Sequence, residues 1–221
     1  MLNLIFIVIL AYLVGSIPNS IIVAKLVKGI DIRKYGSGNA GGTNVSRVLG
    51  KRYGLLVIFL DALKGAFAVV VIARLYLGNF PFPNATPFDD FTLVQIIAGL
   101  AAVAGHVWTA FAGFKGGKGI ATGLGVLITL ITLDMLVAIG IFVVVVAISK
   151  YVSLGSVTAA LSIPITMIVR ENVFGVNIPN YHTILPFAIL ISLFIVYTHR
   201  ENISRLIHGE EKRFAFSKKT K

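Results

Sequence analysis

The stretch from Ile120 to Ser149, IATGLGVLITLITLDMLVAIGIFVVVVAIS, runs for 30 residues with a single carboxylate, Asp134, near its middle. One α-helix of that length would measure ~45 Å, too long for ~30 Å of hydrocarbon without strong tilt. Two helices of about 15 residues with a turn at Thr132–Asp134 are each short for a span. The choice reverses the side on which every later loop lies, so the distribution of Lys and Arg along the whole chain can decide it.

That chain is 57% hydrophobic and 13% charged, with a mean hydropathy of +0.90. The apolar share lies well above the ~45–50% of soluble domains, so the protein is read as all-α and integral to a membrane. The first apolar run is taken as a span and not as a cleaved leader, because no basic segment precedes it and Lys25 and Lys28 follow it. Cysteine is absent, so disulfides play no part.

With the run split and the N-terminus outside, seven spans cover roughly residues 2–24, 54–77, 92–112, 119–133, 135–149, 154–169 and 182–198. The inner segments then hold 17 of the 20 basic residues, including seven in the tail. Outside lie Asp89, Asp90, Asp134 and Glu171, with Arg170 in a loop and Arg74 near a span end. An unsplit run would put the basic tail outside, against the positive-inside bias. Seven transmembrane helices, with the N-terminus outside and the C-terminus cytoplasmic, is the expectation. The net charge of +11 has the same explanation, so nucleic acid is not an expected partner. The ending KRFAFSKKTK is suited to anionic membrane lipid headgroups.

The chain reads as a single domain over residues 1–221, without internal repeats. On this topology its four polar segments, 29–52, 113–121, 149–156 and 199–213, share the cytoplasmic face. The first contains SGNAGGTN (Ser37 to Asn44), whose small residues allow φ > 0 and leave backbone N–H groups open to an anion. Ser37, Asn39, Thr43 and Asn44 add short hydrogen-bonding side chains, and Arg33, Lys34 and Arg47 add charge. In the second segment Gly116, Gly117 and Gly119 surround Lys118 just before a span, so a helix N-terminus also faces the anion. The spacing is not that of a P-loop. Flexible surface turns would have a similar composition, but two such loops on one face, each with a basic residue, favour a phosphate-bearing ligand, with one loop for each of up to two phosphates.

Asp61 and Lys64 lie on one helical face and are expected to pair within the membrane, structurally or as a distal part of the site. Pro18 should kink the first span. His106 is open between packing and function, and His182 on the outer side is read as incidental. His199 and Asn202 begin the tail on the face of the two loops. No nucleophilic triad can be assembled, and the H-x-x-x-x-D spacing typical of many glycerolipid acyltransferases is missing after both His106 and His199. A transporter for a phosphorylated metabolite is the chief alternative, although such proteins usually show repeats and midplane sites. A scaffold would explain the spans but not the paired basic loops.

In order along the chain, GSIP (Gly15 to Pro18), GIDIRKYGSGNAGGTNVSRVLGK (Gly29 to Lys51), DALKG, GHVWTAFAGFKGGKGIATG (Gly105 to Gly123), YVSLGS (Tyr151 to Ser156) and HRENISRLIHGEE resemble the bacterial integral-membrane glycerol-3-phosphate acyltransferases of the PlsY family. The resemblance covers nearly the whole chain. It implies acyl transfer from acyl phosphate to glycerol 3-phosphate, giving lysophosphatidic acid and inorganic phosphate, at the cytoplasmic face of the bacterial inner membrane. A monomer is expected, and neither metal nor cofactor is. Carried over by motif, Ser37, Gly38, Asn39, Thr43, Asn44, Gly116, Gly117, Gly119, Ser153 and Ser156 bind substrate, and Arg47, Lys118, His199 and Asn202 serve catalysis. Arg47 and Lys118 are placed near glycerol 3-phosphate, with the division of the two phosphates left open. The chain departs from the family pattern at Ala40 and Thr109, where Pro is common, and at Gly42, where Ala is common. These positions are read as stiffening loops without touching substrate. The outer loop Gly78 to Phe91 is longer than usual.

Overall fold

The computed structural model describes residues 2–78 and 86–213, and among them every regular element is helical. Most of the long outer loop at 79–85 and the basic residues Lys218, Lys219 and Lys221, assigned to lipid headgroups, lie outside the described residues. The α-helices are α1 (Leu2–Gly15), α2 (Asn19–Lys28), α3 (Gly42–Leu49), α4 (Lys51–Val70), α5 (Asp90–Val107), α6 (Ile120–Leu130), α7 (Thr132–Ser149), α8 (Val152–Asn172), α9 (Tyr181–Thr198) and α10 (Arg200–Ile207). Among the described residues six helical segments are long and apolar enough to cross a membrane, and α6, with 11 residues, is a shorter apolar helix.

The long apolar run is split, but not where Asp134 suggested. The break falls at Ile131, and Asp134 sits in the first turn of α7. No Pro or Gly causes it. Thr132 donates its hydroxyl to the Ile128 carbonyl at 3.0 Å, satisfying one carbonyl that the ending helix frees, while the Thr129 hydroxyl bonds back to the Val126 carbonyl at 2.7 Å within the last turns. Asp134 is buried and bonded to Arg170 at the end of α8. The carboxylate that looked like a turn signal is therefore a clamp between two helices. Two helices of about 15 residues were expected; they have 11 and 18 residues.

The first span breaks completely at Ser16–Pro18, going beyond the expected kink. Its freed carbonyls find partners inside the protein, as they must in a membrane. The Thr109 hydroxyl donates to the Ser16 carbonyl, and Lys64 Nζ donates to the Ile17 carbonyl at 2.8 Å. Helices α4 and α6 meet through glycine: a Cβ on Gly125 would lie 1.8 Å from the Ala62 carbonyl oxygen, and one on Gly65 would lie 2.2 Å from that of Thr122. Backbones approach this closely only where side chains are missing. The largest apolar cluster joins α5 to α9 and includes Val103, Val126, Met167, Phe187 and Ile191.

Candidate active site

A cavity of about 750 Å³ receives residues from all four polar segments. Its upper walls are built by the first loop. After a 3-10 turn at Ile32–Lys34, Gly36 and Gly38 adopt φ of 64° and 76°, which curls the chain back on α3. Asn44, buried in the first turn of α3, holds that curl. Its Oδ1 accepts from the Ser37 N–H at 2.8 Å, and its Nδ2 faces the carbonyls of Ile32, Tyr35 and Asn39 at 3.1, 2.9 and 3.0 Å. Asn44 was expected to bind ligand oxygen, but its amide is engaged with the loop backbone. Asn44 still lines the cavity beside Ser37, Gly38, Asn39 and Thr43, as the post that holds the loop in shape.

Arg33 also differs from expectation. Its guanidinium meets the Asp31 carboxylate at 2.8 Å, and its Nη1 donates to the Ala112 carbonyl at 2.8 Å, tying the first loop to the second. That hydrogen-bonded pairing holds the Asp31 carboxyl below the usual range and raises Arg33. Of the three cations placed beside the first loop, Arg47 is the one that lines the cavity.

The second loop divides its glycines between two tasks. The N–H groups of Gly116 and Gly117 donate to the carbonyls of Val107 and His106 at 3.0 and 3.1 Å. A Cβ at these positions would lie 1.9 Å from the His106 carbonyl oxygen and 2.2 Å from His106 Nε2. Gly116 and Gly117 therefore pack the loop onto the end of α5 and do not line the cavity as ligand donors. Gly119, with φ of 80°, does line it, together with Lys118 and the start of α6. Burial, with the Arg205 charge next, pulls the Lys118 ammonium down to about 8.

The third and fourth segments meet at a residue the sequence reading quoted without giving it a role. Glu211 accepts from Ser153 Oγ and Asn202 Nδ2, both at 2.7 Å, and from Arg205 Nε at 2.9 Å. Burial raises the Glu211 carboxyl, but these hydrogen bonds outweigh it and hold the group below the usual range. Asn202 is thereby oriented with its Oδ1 buried and without a hydrogen-bond partner, an acceptor on the cavity wall. His199 is 3% exposed, with Nδ1 2.8 Å from the Ile195 carbonyl. A carbonyl can only accept, so Nδ1 carries the proton and Nε2 is the bare nitrogen. Burial, reinforced by Lys118 against the pull of that carbonyl, lowers the imidazole to about 4. Ser156 lines the cavity as well, its hydroxyl donating back to the Val152 carbonyl.

Below this polar ring the lining turns apolar, with Leu124, Leu127, Met135, Phe142, Ile163 and Ile191. The whole is a polar head, with more cations than carboxylates in its lining, on an apolar pocket. The family model described as glycerol-3-phosphate acyltransferase matches residues 5–209. The chain belongs to the glycerol-3-phosphate acyltransferase family. A relative of that name from Chlorobaculum tepidum is 45% identical, the match covering 99% of this chain and all of the relative. Another from Pelodictyon phaeoclathratiforme is 42% identical over 99% of this chain and all of the relative. Two crystal structures of PlsY (YgiH), an integral membrane glycerol 3-phosphate acyltransferase, are similar at 40% identity. The glycerol 3-phosphate form has a TM-score of 0.79 and covers 96% of both chains. The lysophosphatidic acid form has a TM-score of 0.78 and covers 96% of this chain and 95% of that one.

Within this acyltransferase chain the membrane-buried carboxylate Asp61 is a hub. Its Oδ1 accepts from Asn19 Nδ2 at 3.0 Å and lies 3.1 Å from Lys64 Nζ and 3.6 Å from His106 Nδ1. Lys64 spends its remaining reach on the broken first span, a structural role, whereas Asp61 itself lines the cavity at the far side of the site. His106, whose role was open, carries the carbonyl that holds Gly117 and also lines the cavity. Thr109, one of the departures from the family pattern, is buried and stitches that same break. Its hydroxyl contacts backbone, consistent with a loop-stiffening position.

Proposed function

We propose that this protein transfers a fatty acyl group from acyl phosphate to glycerol 3-phosphate, releasing lysophosphatidic acid and inorganic phosphate. The observation that carries the reading is a single cavity in which Arg47, Lys118 and Lys212, with Arg205 paired to Glu211, stand above an apolar channel. Two phosphates require such a cluster of cations, and an acyl tail requires such a channel. The glycerol hydroxyl oxygen attacks the acyl carbonyl carbon, the bond from that carbon to the phosphate oxygen breaks, and the hydroxyl proton leaves with the departing phosphate. Acyl phosphate is already activated, so alignment and charge stabilisation suffice, and no protein nucleophile is required. In this reading Ser37, Gly38, Asn39, Thr43 and Gly119 surround the phosphates with Arg47 and Lys118, and the free Oδ1 of Asn202 accepts from a glycerol hydroxyl. Ser153 and Ser156 border the substrates, with Glu211 holding Ser153 and Asn202 in place.

Purified protein supplied with glycerol 3-phosphate and either palmitoyl phosphate or palmitoyl-CoA should make lysophosphatidic acid from the phosphate. Product from the CoA ester alone would reject the donor assignment.

The same reading places seven crossings in the bacterial cytoplasmic membrane, with the N-terminus outside, the C-terminus inside and the cavity facing the cytoplasm. It is supported by Lys118, before α6, and Ser153, just after α7, lining one cavity, since a helix pair that starts and ends at one site returns to one face. Cysteines introduced at the positions of Lys115 and Lys150 should react with an impermeant reagent from the cytoplasmic side only. Labelling from opposite faces would leave six crossings and separate the motifs.

A further inference from the structure

The lower half of the cavity has a floor. Its lining extends along α8 from Ser153 to Ile163 and along α9 from His199 back to Ile191. At ~1.5 Å per residue these are about 15 Å and about 12 Å of depth. One turn deeper, Met167 on α8 and Phe187 on α9 belong to the buried apolar cluster and no longer line the cavity. On α6 the same change occurs between Leu127 and Ile131. Three helices thus close the channel at a similar depth.

The fourth wall is α7, whose deepest lining residue is Met135 and whose smallest is Ala138, one turn nearer the mouth. They are 5% and 2% exposed. Any larger side chain at the position of Ala138 would enter the channel or its packed surroundings.

We infer that this floor measures the acyl chain, with Ala138 and Met135 setting the length accepted; the inference rests on the acyl-transfer reading above. With C–C bonds of ~1.5 Å an extended chain advances about 1.3 Å per methylene, so this depth takes roughly 9 to 12 methylenes before the chain meets close-packed core. Each further methylene must displace side chains or stay unburied, and a pocket discriminates a single methylene by about 10-fold or more.

The test assays the intact protein and two variants in detergent with saturated acyl phosphates from decanoyl to stearoyl. Ala138→Phe should lower the palmitoyl-to-decanoyl ratio of kcat/KM by about 10-fold or more, with the KM for glycerol 3-phosphate within about 2-fold of the parent. Met135→Ala should move the ratio the other way, raising stearoyl relative to palmitoyl, and it carries the test alone if Ala138→Phe does not fold. An identical length profile in all three proteins would overturn the inference. It would mean that the tail leaves the channel for lipid past Val143, a cavity residue that is 57% exposed. A parent protein inactive with every acyl phosphate but active with acyl-CoA would remove the donor reading instead, and the same comparison within the CoA series would still decide the ruler.

Discussion

Lys118→Ala should lower kcat/KM by on the order of 10²-fold or more, through loss of a charge held against phosphate in a partly desolvated site. Its immediate neighbours Gly117, Gly119 and Ile120 cannot replace that charge, and Lys115, the other lysine of the loop, does not line the cavity. The same position should gain stability when the lysine is removed. Burial holds the ammonium at about 8, below its ordinary value of 10.5, so folding disfavours the charged form. The sign follows from linkage: the penalty is fully present below about pH 8 and fades as pH rises towards the unfolded value. Lys118→Met should therefore melt at a higher temperature than the parent at pH 7, with the gain shrinking from about pH 8 and nearly gone at pH 10.5. Thermal unfolding at the two pH values, beside steady-state kinetics at neutral pH, measures both effects. Parental turnover would reject the phosphate assignment. A melting gain that is equal at both pH values would show that the charge is not what burial opposes.

Much of this site was legible because its groups are local and repeated. The glycine-rich loops, their cations and the polar start of the tail stand out against apolar sequence, and the distribution of Lys and Arg alone assigns them to one face. What could not be read is what each group is paired with. Asp134 resembled a turn because a lone carboxylate in an apolar run is costly, yet Arg170 lies 36 residues away and neutralises it. Arg33 counted as a free cation, although Asp31 two residues earlier was available to take it. That short spacing was a signal in plain sight. Gly116 and Gly117 looked equivalent to Gly119 because all three lack a side chain; only the path of α5 decides which N–H groups are already bonded. Glu211 was missed for the opposite reason. Its partners Ser153 and Asn202 come from separate segments, and no spacing rule joins a carboxylate to a serine 58 residues earlier.

His199→Ala should cost on the order of 10²-fold in kcat, and His199→Gln should recover most of that loss. The argument turns on which group takes the proton from the attacking hydroxyl. With its imidazole at about 4, His199 accepts that proton at pH 7 only against roughly 3 pH units, or about 4 kcal/mol. A phosphate group has its second ionisation near 6 and is the better acceptor at neutrality. The geometry agrees: Nδ1 donates to the Ile195 carbonyl with no carboxylate behind it, so the ring is fixed in place without being made more basic. What His199 offers is a bare Nε2 at the cavity wall, a hydrogen-bond acceptor that can hold a glycerol hydroxyl in line with the carbonyl. Glutamine supplies an amide oxygen at a similar reach, whereas alanine supplies nothing, and this ordering separates an orienting group from a base. An acyl-protein trapped by rapid quench would sink direct transfer altogether. A His199→Gln protein that binds both substrates normally and is dead at every pH would make His199 the base, and would require bound phosphate to lift its imidazole well above the value set by burial.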